Sequence, residues 1–386
     1  MKKERITTKL MASLICVLIG LALGFAALLI IEPKGAFAAW VTMLQNFLYY
    51  PNPGVAWYYV GTTLVRTIPL AMCALSIIYA KNAGLFNIGA SGQYTAGALV
   101  SLLLAIKYHM PWWVCLLGAM LAAGLAGVIV GYLRAYRGAN EVITGILVNW
   151  ILLYLANNML EPFTDSAKYT LKLAANEPQA LLPNLGLDWF FNNNRYVTIA
   201  IPLAVIVILI VRYIIAHTVL GYETRATGFN MHAARLSGMR AERNMLLTMF
   251  IAGALCGMAA SFSFLSGMEQ WTTTASNVPS IGFDAIAAAY LGGLHPIGTL
   301  LSSFFIQHIS MGSINMDKLV YPSEVANIVI AIIIYTSAFA SLIAYFVAEK
   351  KKNSGEKENN LPEKSADSGA KKNDPPETAD GKGEKQ

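Results

Sequence analysis

The sequence predicts an all-α polytopic membrane protein, with about ten transmembrane helices, some of them broken or short, two structurally related halves and a disordered C-terminal tail. Two observations carry this expectation. Hydrophobic residues make up 56% of the chain and charged residues 13%, too apolar for an ordinary soluble domain. The apolar residues also fall in continuous runs of roughly 20 rather than in alternation. Runs of that length cross a hydrocarbon core of roughly 30 Å as helices, which satisfy their own backbone groups.

The first run, residues 10–31, follows Lys2, Lys3, Arg5 and Lys9. It lacks a small-residue cleavage pattern, so it reads as a retained span rather than a secretion signal. Phe37, Trp40, Val41, Leu44 and Leu48 then recur at helical spacing, which predicts a helix lying at the outer interface. Further spans are expected over 59–80, 88–106, 112–133, 142–158, 196–216, 245–266 and 322–347. The run 281–313 is too long for one span, and Gly292, Gly293 and Pro296 supply a break within it.

Positive charge sets the orientation. The N-terminal segment, Lys81, Arg134 and Arg137, the arginines at 225, 235, 240 and 243, and Lys350 to Lys352 belong on the cytoplasmic side. With both termini inside, the number of crossings is even. The run 281–313 therefore crosses twice or returns to the side it entered from. Residues 159–195 form the large outer loop, either a surface for an extracytoplasmic partner or a connector. Residues 1–348 make up the membrane domain, and the tail 349–386, rich in Lys, Glu, Gly, Pro and Ser, has almost nothing apolar to bury. Nine Lys balance nine acidic residues in that tail, so the net charge of +6 belongs to the membrane part. It forms no compact basic stripe, and no nucleic-acid partner is expected.

Enzyme chemistry finds no support. Cys16, Cys73, Cys115 and Cys256 stand singly in apolar runs, and the five histidines are dispersed. No HExxH metal spacing and no GxxxxGK[ST] phosphate loop occurs, so neither a metal nor a bound cofactor is expected in this chain. Uphill transport would need an ion gradient or another subunit. Few acids lie within spans, which weakens an ion-coupled secondary transporter, since proton and sodium relays need them.

Three stretches stand out. KNAGLFNIGASGQ, residues 81–93, is rich in Gly and amides between two apolar runs, the mark of a broken helix along a transport path or of close packing through small residues. GFDAIAA at 282–288 echoes GLFNIGA at 84–90, as expected of two related halves, and Asp284 and Arg66 are the notable charges near membrane depth. Arg66 reads better as a snorkelling or structurally paired residue. The pairs Gly20/Gly24, Gly127/Gly131 and Gly253/Gly257 predict close helix approach. The third stretch, 217–244, is polar yet helix-forming, with Asn230 as N-cap and Gly238 as C-cap of a short helix suited to a groove on a soluble partner.

Four segments in order then resemble one family. GLFNIGASGQYTAGAL at 84–99 resembles its FNIG-x-EGQ segment, and ANEVITGILVNWI at 139–151 resembles its NEVI stretch. Residues 218–244 resemble its cytoplasmic coupling loop, and GFDAIAAAYLGGLHPIGTLL at 282–301 its closing pattern. The chain is identified as a member of the permease subunits of ATP-binding-cassette importers of the branched-chain amino acid, ribose and nucleoside group, closest to the nucleoside (simple sugar) permeases.

The resemblance implies a multi-pass subunit in a bacterial cell membrane that pairs with a second permease subunit, a homodimer or heterodimer. It implies a cytoplasmic ABC ATPase carrying ATP and Mg, and an extracytoplasmic binding lipoprotein delivering a nucleoside, or a ribose- or galactose-type sugar. It places the ATPase-coupling residues at Gly221, Glu223, Arg225, Gly228, Asn230, Ala233, Ala234 and Gly238. Candidates for the polar lining of the substrate path are Asn87, Ser91, Gln93, Asn149 and Asp284. Ser91 stands where the family pattern has Glu, which bears on the substrate spectrum.

Overall fold

Long apolar runs give long helices, and their ends are fixed by local chemistry. The computed structural model describes residues 2–164, 170, 171, 173, 177–317, 320, 321, 323–337 and 339. The tail 349–386 and most of the final part of the expected span 322–347 lie outside the described residues. The helices are α1 (Lys2–Ile31), α2 (Ala36–Gln45), α3 (Pro53–Asn82), α4 (Ala90–Ile106), α5 (Trp112–Arg137), α6 (Glu141–Leu160) and the single turn α7 (Leu187–Phe190). They continue with α8 (Ala200–His217), α9 (Val219–Phe229), α10 (Met231–Leu236), α11 (Ala241–Phe264), α12 (Ile281–Leu291), α13 (Pro296–Gly312) and α14 (Ser323–Ser337). Among the described residues the extended pairing is one isolated antiparallel bridge, Thr170 to Thr272.

Asn52 caps α3 by accepting from Gly54 N at 2.9 Å, with Pro53 at the first helical position, where its missing N–H costs nothing. Asn140 caps α6 by accepting from Val142 N at 2.8 Å. Gly138, at φ +65°, ends α5 in the left-handed conformation that glycine adopts freely. The stretch predicted as an interfacial helix forms α2 and a following 3₁₀ turn, Asn46–Tyr49.

Followed along the chain, the helices pass between two ends, and among the described residues six of them, α3, α5, α6, α8, α11 and α13, are long and apolar enough to cross a membrane, with α4, α12 and Ile15–Ile31 of α1 as shorter apolar helices. Call the end holding α9 and α10 the basic end. Two of the passes are short. At 1.5 Å per residue the 17 residues of α4 span about 26 Å and the 11 of α12 about 16 Å, half of a hydrocarbon core. After α11 reaches the opposite end, the chain turns back through 265–280, and α12 carries it on to the basic end, where Lys81 Nζ stands 5.7 Å from the Tyr290 ring centroid. The chain breaks at Gly292 to His295, with φ +66° at Gly293 and +55° at Leu294, and α13 returns. The run 281–313 is thus a half-helix followed by a short span, broken where its glycines and proline predict.

The three Gly-x-x-x-Gly pairs are packing seams within the chain. A Cβ on Gly253 or Gly257 would lie 2.9 Å from Ala123 C or 2.8 Å from Ala119 C, so α11 rides backbone to backbone on α5. One on Gly127 would reach 3.0 Å from Met249 C across the same seam. Gly20 and Gly24 admit Ile333 and Val329 of α14 against α1, with would-be Cβ distances of 2.8 and 2.7 Å. Where lipid tails are as apolar as Leu, such dispersion contacts and backbone approach are what hold helices together. At the centre lies α3. In its most apolar window 89% of residues are buried, against 22% in α6 and α8, whose broad apolar faces suit lipid or another subunit. All four cysteines are free and buried, a packing role.

Candidate functional site

Three structural features bear on function: the polar segment at the basic end, the broken helix above it, and a cavity near the opposite end. At the basic end, Thr218 Oγ1 accepts from Gly221 N at 3.1 Å and starts α9. A Cβ on Gly221 would lie 2.7 Å from Ile215 O, so α9 folds tightly back on the end of α8, and Arg225 Nη1 donates to the same Ile215 carbonyl. Thr224 and Thr227 face inward, and Asn244 Nδ2 donates to Thr227 Oγ1 at 3.3 Å, tying α9 to α11. Asn230 Oδ1 accepts from Ala233 N at 3.0 Å, as an N-cap should, and Gly238 leaves α10 at φ +82°. Arg235 pairs with Glu242.

This geometry divides the coupling candidates. Gly221, Gly228 and Ala234 are turned into the protein, Glu223 is half-buried, and Arg225, Asn230, Ala233 and Gly238 are exposed. Sequence reasoning missed Phe229 and Leu236, 95% and 91% exposed on either side of the Asn230 cap and the α10 turns. Large apolar residues flanking a capped helix in a polar stretch were the available signal.

Gly228 supplies the link to the membrane part. A Cβ there would lie 2.6 Å from Gly84 N and 2.7 Å from Ala83 C, and closer still to Asn82 O. The backbone of the polar segment therefore rests directly on the backbone where α3 ends. Gly84 turns the chain at φ +73°, and the break 83–89 leads into α4. Amides cluster at the break, and Asn149 satisfies backbone groups there, as non-helical chain at membrane depth requires. Asn87 and Gln93 exchange hydrogen bonds, Asn87 Nδ2 donating to Gln93 Oε1 at 2.8 Å and Gln93 Nε2 to Asn87 Oδ1 at 3.0 Å. Asn87 Nδ2 also donates to Ser76 Oγ at 3.0 Å. Asn149, from α6, accepts from Gly92 N at 2.7 Å and donates to Ile88 O at 3.0 Å. Ser91 is fully buried, with no partner for its Oγ, beneath Gly282, whose Cβ would lie 2.8 Å from Ser91 Cα. The residue that follows the first of the two echoing segments therefore touches the first residue of the second. Asp284, two residues on, is half-buried and accepts from Ser280 Oγ at 3.0 Å.

A cavity of about 390 Å³ opens beside the middle of α3, away from the basic end. None of the five lining candidates is among the residues that bound it. Its walls are Val65, Arg66 and Pro69 of α3, Tyr94 of α4 and Phe264 at the end of α11, with Gln307 of α13. The returning segment closes it with Glu269, Gln270, Trp271 and Asn277. Pro69 has no amide hydrogen to return to the Val65 carbonyl, so the α3 ladder is interrupted at this wall. Arg66 Nη1 stands 3.8 Å from Glu269 Oε1, a pair joining α3 to the returning segment, while Arg66 Nε is buried without a partner. Tyr94, Phe264 and Trp271 form a string of rings, with centroids 6.0 and 5.9 Å apart. Trp271 Nε1 donates to Asn157 Oδ1 at 3.1 Å, and Leu171 N donates to Trp271 O at 3.0 Å, so the outer loop holds the segment down. Among the described residues no cluster of His, Cys, Asp or Glu is arranged to hold a metal.

Known proteins share this sequence over most of its length. The family described as branched-chain amino acid transport system / permease component matches residues 59–338. The guanosine ABC transporter permease protein NupP of Bacillus subtilis (strain 168) is 32% identical over 349 residues, 89% of this chain and 97% of that protein. The nucleoside ABC transporter permease protein NupB of Lactococcus lactis subsp. cremoris (strain MG1363) is 31% identical, over 77% of this chain and 86% of its own. The glucose ABC transporter permease protein TsgB13 of Haloferax volcanii is 28% identical, over 70% of this chain and 73% of its own. No solved structure matches. The family match and the length of shared sequence together make this chain a member of the branched-chain amino acid transport system permease family, a transmembrane permease subunit of the ABC-transporter type.

Proposed function

We propose that this subunit carries nucleosides into the cell, driven by ATP hydrolysis on a separate cytoplasmic ATPase that holds ATP and Mg. The observation that carries this reading is the segment α9 to α10. It presents Phe229 and Leu236 outward while Gly228 rests on the chain where α3 breaks. A segment built this way suits a soluble partner whose closure must reach the membrane helices. The basic end is then cytoplasmic, with both termini on that side, in agreement with the positive charge there. A second permease subunit, the same chain or a relative, meets the exposed apolar faces. An extracytoplasmic binding lipoprotein delivers the ligand at the opposite end, where Trp189 and Phe190 of the outer loop are exposed. The nucleoside substrate is supported by the likeness to the guanosine and nucleoside permeases.

The test is uptake by a strain lacking the gene, with labelled uridine competed against labelled ribose, together with co-purification of a co-expressed ATPase. Lost uridine uptake in the deletion strain and a stable ATPase complex are expected. No complex, with uptake abolished by a proton ionophore, rejects the ATP-driven reading in favour of a secondary transporter. A sugar importer is the second reading, favoured by the likeness to the glucose permease, and ribose outcompeting uridine would select it.

A further inference from the structure

We infer that the cavity beside Pro69 is the place where the permease holds its nucleoside in transit, and that its walls admit uncharged nucleosides and reject phosphorylated ones. The inference rests on the nucleoside reading above and adds the site and its selection rule.

Size comes first. About 390 Å³ falls within the roughly 300–1,000 Å³ usual for small-molecule sites. The lining then divides into two kinds of surface. Tyr94, Phe264 and Trp271 all bound the cavity, their rings tilted to one another by 48° and 56°, and such rings offer a face to a flat nucleobase. A sugar alone has no flat ring for such a face. The same cavity is bounded by hydrogen-bonding groups suited to hydroxyls and ring nitrogens, among them Arg66, Glu269 and Gln270. The Arg66 and Glu269 side chains are 40% and 46% exposed, and at 3.8 Å their contact is longer than a hydrogen bond, so both can turn polar atoms toward a ligand.

Charge sets the selection rule. Among the residues that bound the cavity, Arg66 is the cation and Glu269 the anion, and they stand 3.8 Å apart. A neutral ligand joins this pair without disturbing its balance. A phosphate adds about −1.5 to −2 charges and meets a cation already opposed by a carboxylate, so its charge goes largely uncompensated.

The test uses the full importer in membrane vesicles. A photoactivated azido-substituted nucleoside is expected to attach within residues 263–281, with excess guanosine protecting and ribose or guanosine monophosphate failing to protect. Gln270→Ala, at an exposed position that the fold tolerates, is expected to raise the half-saturation for guanosine about tenfold at an unchanged maximal rate, the loss of about one hydrogen bond to the ligand. Phe264→Leu should do the same, and Glu269→Gln, which frees Arg66, should let guanosine monophosphate compete. Attachment elsewhere in the chain, or an unchanged half-saturation in both Gln270→Ala and Phe264→Leu, overturns the site while the importer reading stands. Equal competition by guanosine and its monophosphate in the wild type overturns the selection rule. A wild type that takes up no nucleoside overturns both the nucleoside reading and this inference.

Discussion

Gly228→Ala is the sharpest perturbation available, because the new methyl meets only backbone. Its Cβ would lie 2.6 Å from Gly84 N and 2.7 Å from Ala83 C, where about 3.5 Å is comfortable. No side chain can swing aside, so α9 and the end of α3 must part by roughly 1 Å. Overpacking of this kind costs about 1–3 kcal/mol. Opposing it, Ala is favoured over Gly inside a helix by about 1 kcal/mol, and Gly228 lies within α9. The two effects nearly offset in stability, so the melting temperature of the purified complex should move by only a few degrees. They do not offset in geometry, because the displaced contact remains displaced. The expected result in reconstituted vesicles is ATP hydrolysis within about twofold of wild type with the nucleoside moved per ATP down about tenfold or more. Lys107→Ala, at an exposed position outside this segment, serves as the control. An unchanged ratio of uptake to hydrolysis in Gly228→Ala would refute the view that this contact transmits anything.

Other consequences can be measured separately. Phe229→Ala and Leu236→Ala should leave the melting curve of the isolated subunit unchanged and weaken ATPase co-purification by about tenfold or more each, as loss of apolar anchors does at an interface. Asn87→Ala removes one half of a fully buried amide pair and leaves Gln93 short of partners, so thermal unfolding should report a loss of about 1–3 kcal/mol. Ser91→Ala removes a hydroxyl that has no partner, and uptake should stay within about twofold of wild type. Gly257→Val forces α11 away from the Ala119 backbone of α5, and the folded yield after membrane extraction should fall severely.

How much of this was legible before the structure depended on how local each feature is. The spans were legible because a membrane crossing is written in one continuous stretch. The expected 112–133 became Trp112–Arg137, and 245–266 became Ala241–Phe264. The break at Gly292 to Pro296 was equally local. The Gly pairs announced close approach without naming partners, since nothing in Gly253 or Gly257 says that Ala123 and Ala119 will face them. The cavity was barely legible. Arg66 stood out as a charge near membrane depth and Tyr94 follows the Gly-rich stretch, but nothing in the sequence brings them together with residues 263–281 and Gln307. The amides did stand out, as polar groups in apolar runs must, yet Asn87, Gln93 and Asn149 are bonded to one another's segments rather than bounding the cavity. A polar residue at membrane depth needs a partner before anything else, and the broken backbone of 83–89 is the nearest one.

The two short helices explain how a contact at the basic end lies within reach of the cavity. Gly228 touches the turn at Ala83 and Gly84, six residues before α4 begins, and α4 carries Tyr94 to the cavity wall one turn later. Near the start of α4, Ser91 lies under Gly282, and the adjoining Ile281 also bounds the cavity. A displacement of the turn is therefore carried along the chain to the first residues of α4, which touch the first residues of α12. Full-length spans would not give this arrangement, because their ends would sit at the two membrane faces rather than partway between them. Spatial continuity alone does not establish energetic coupling. The measurement that does is a double-mutant cycle between Gly228→Ala and Phe264→Leu, read as half-saturation for guanosine. An interaction free energy of about 0.5 kcal/mol or more would join the two ends, and strict additivity would separate them.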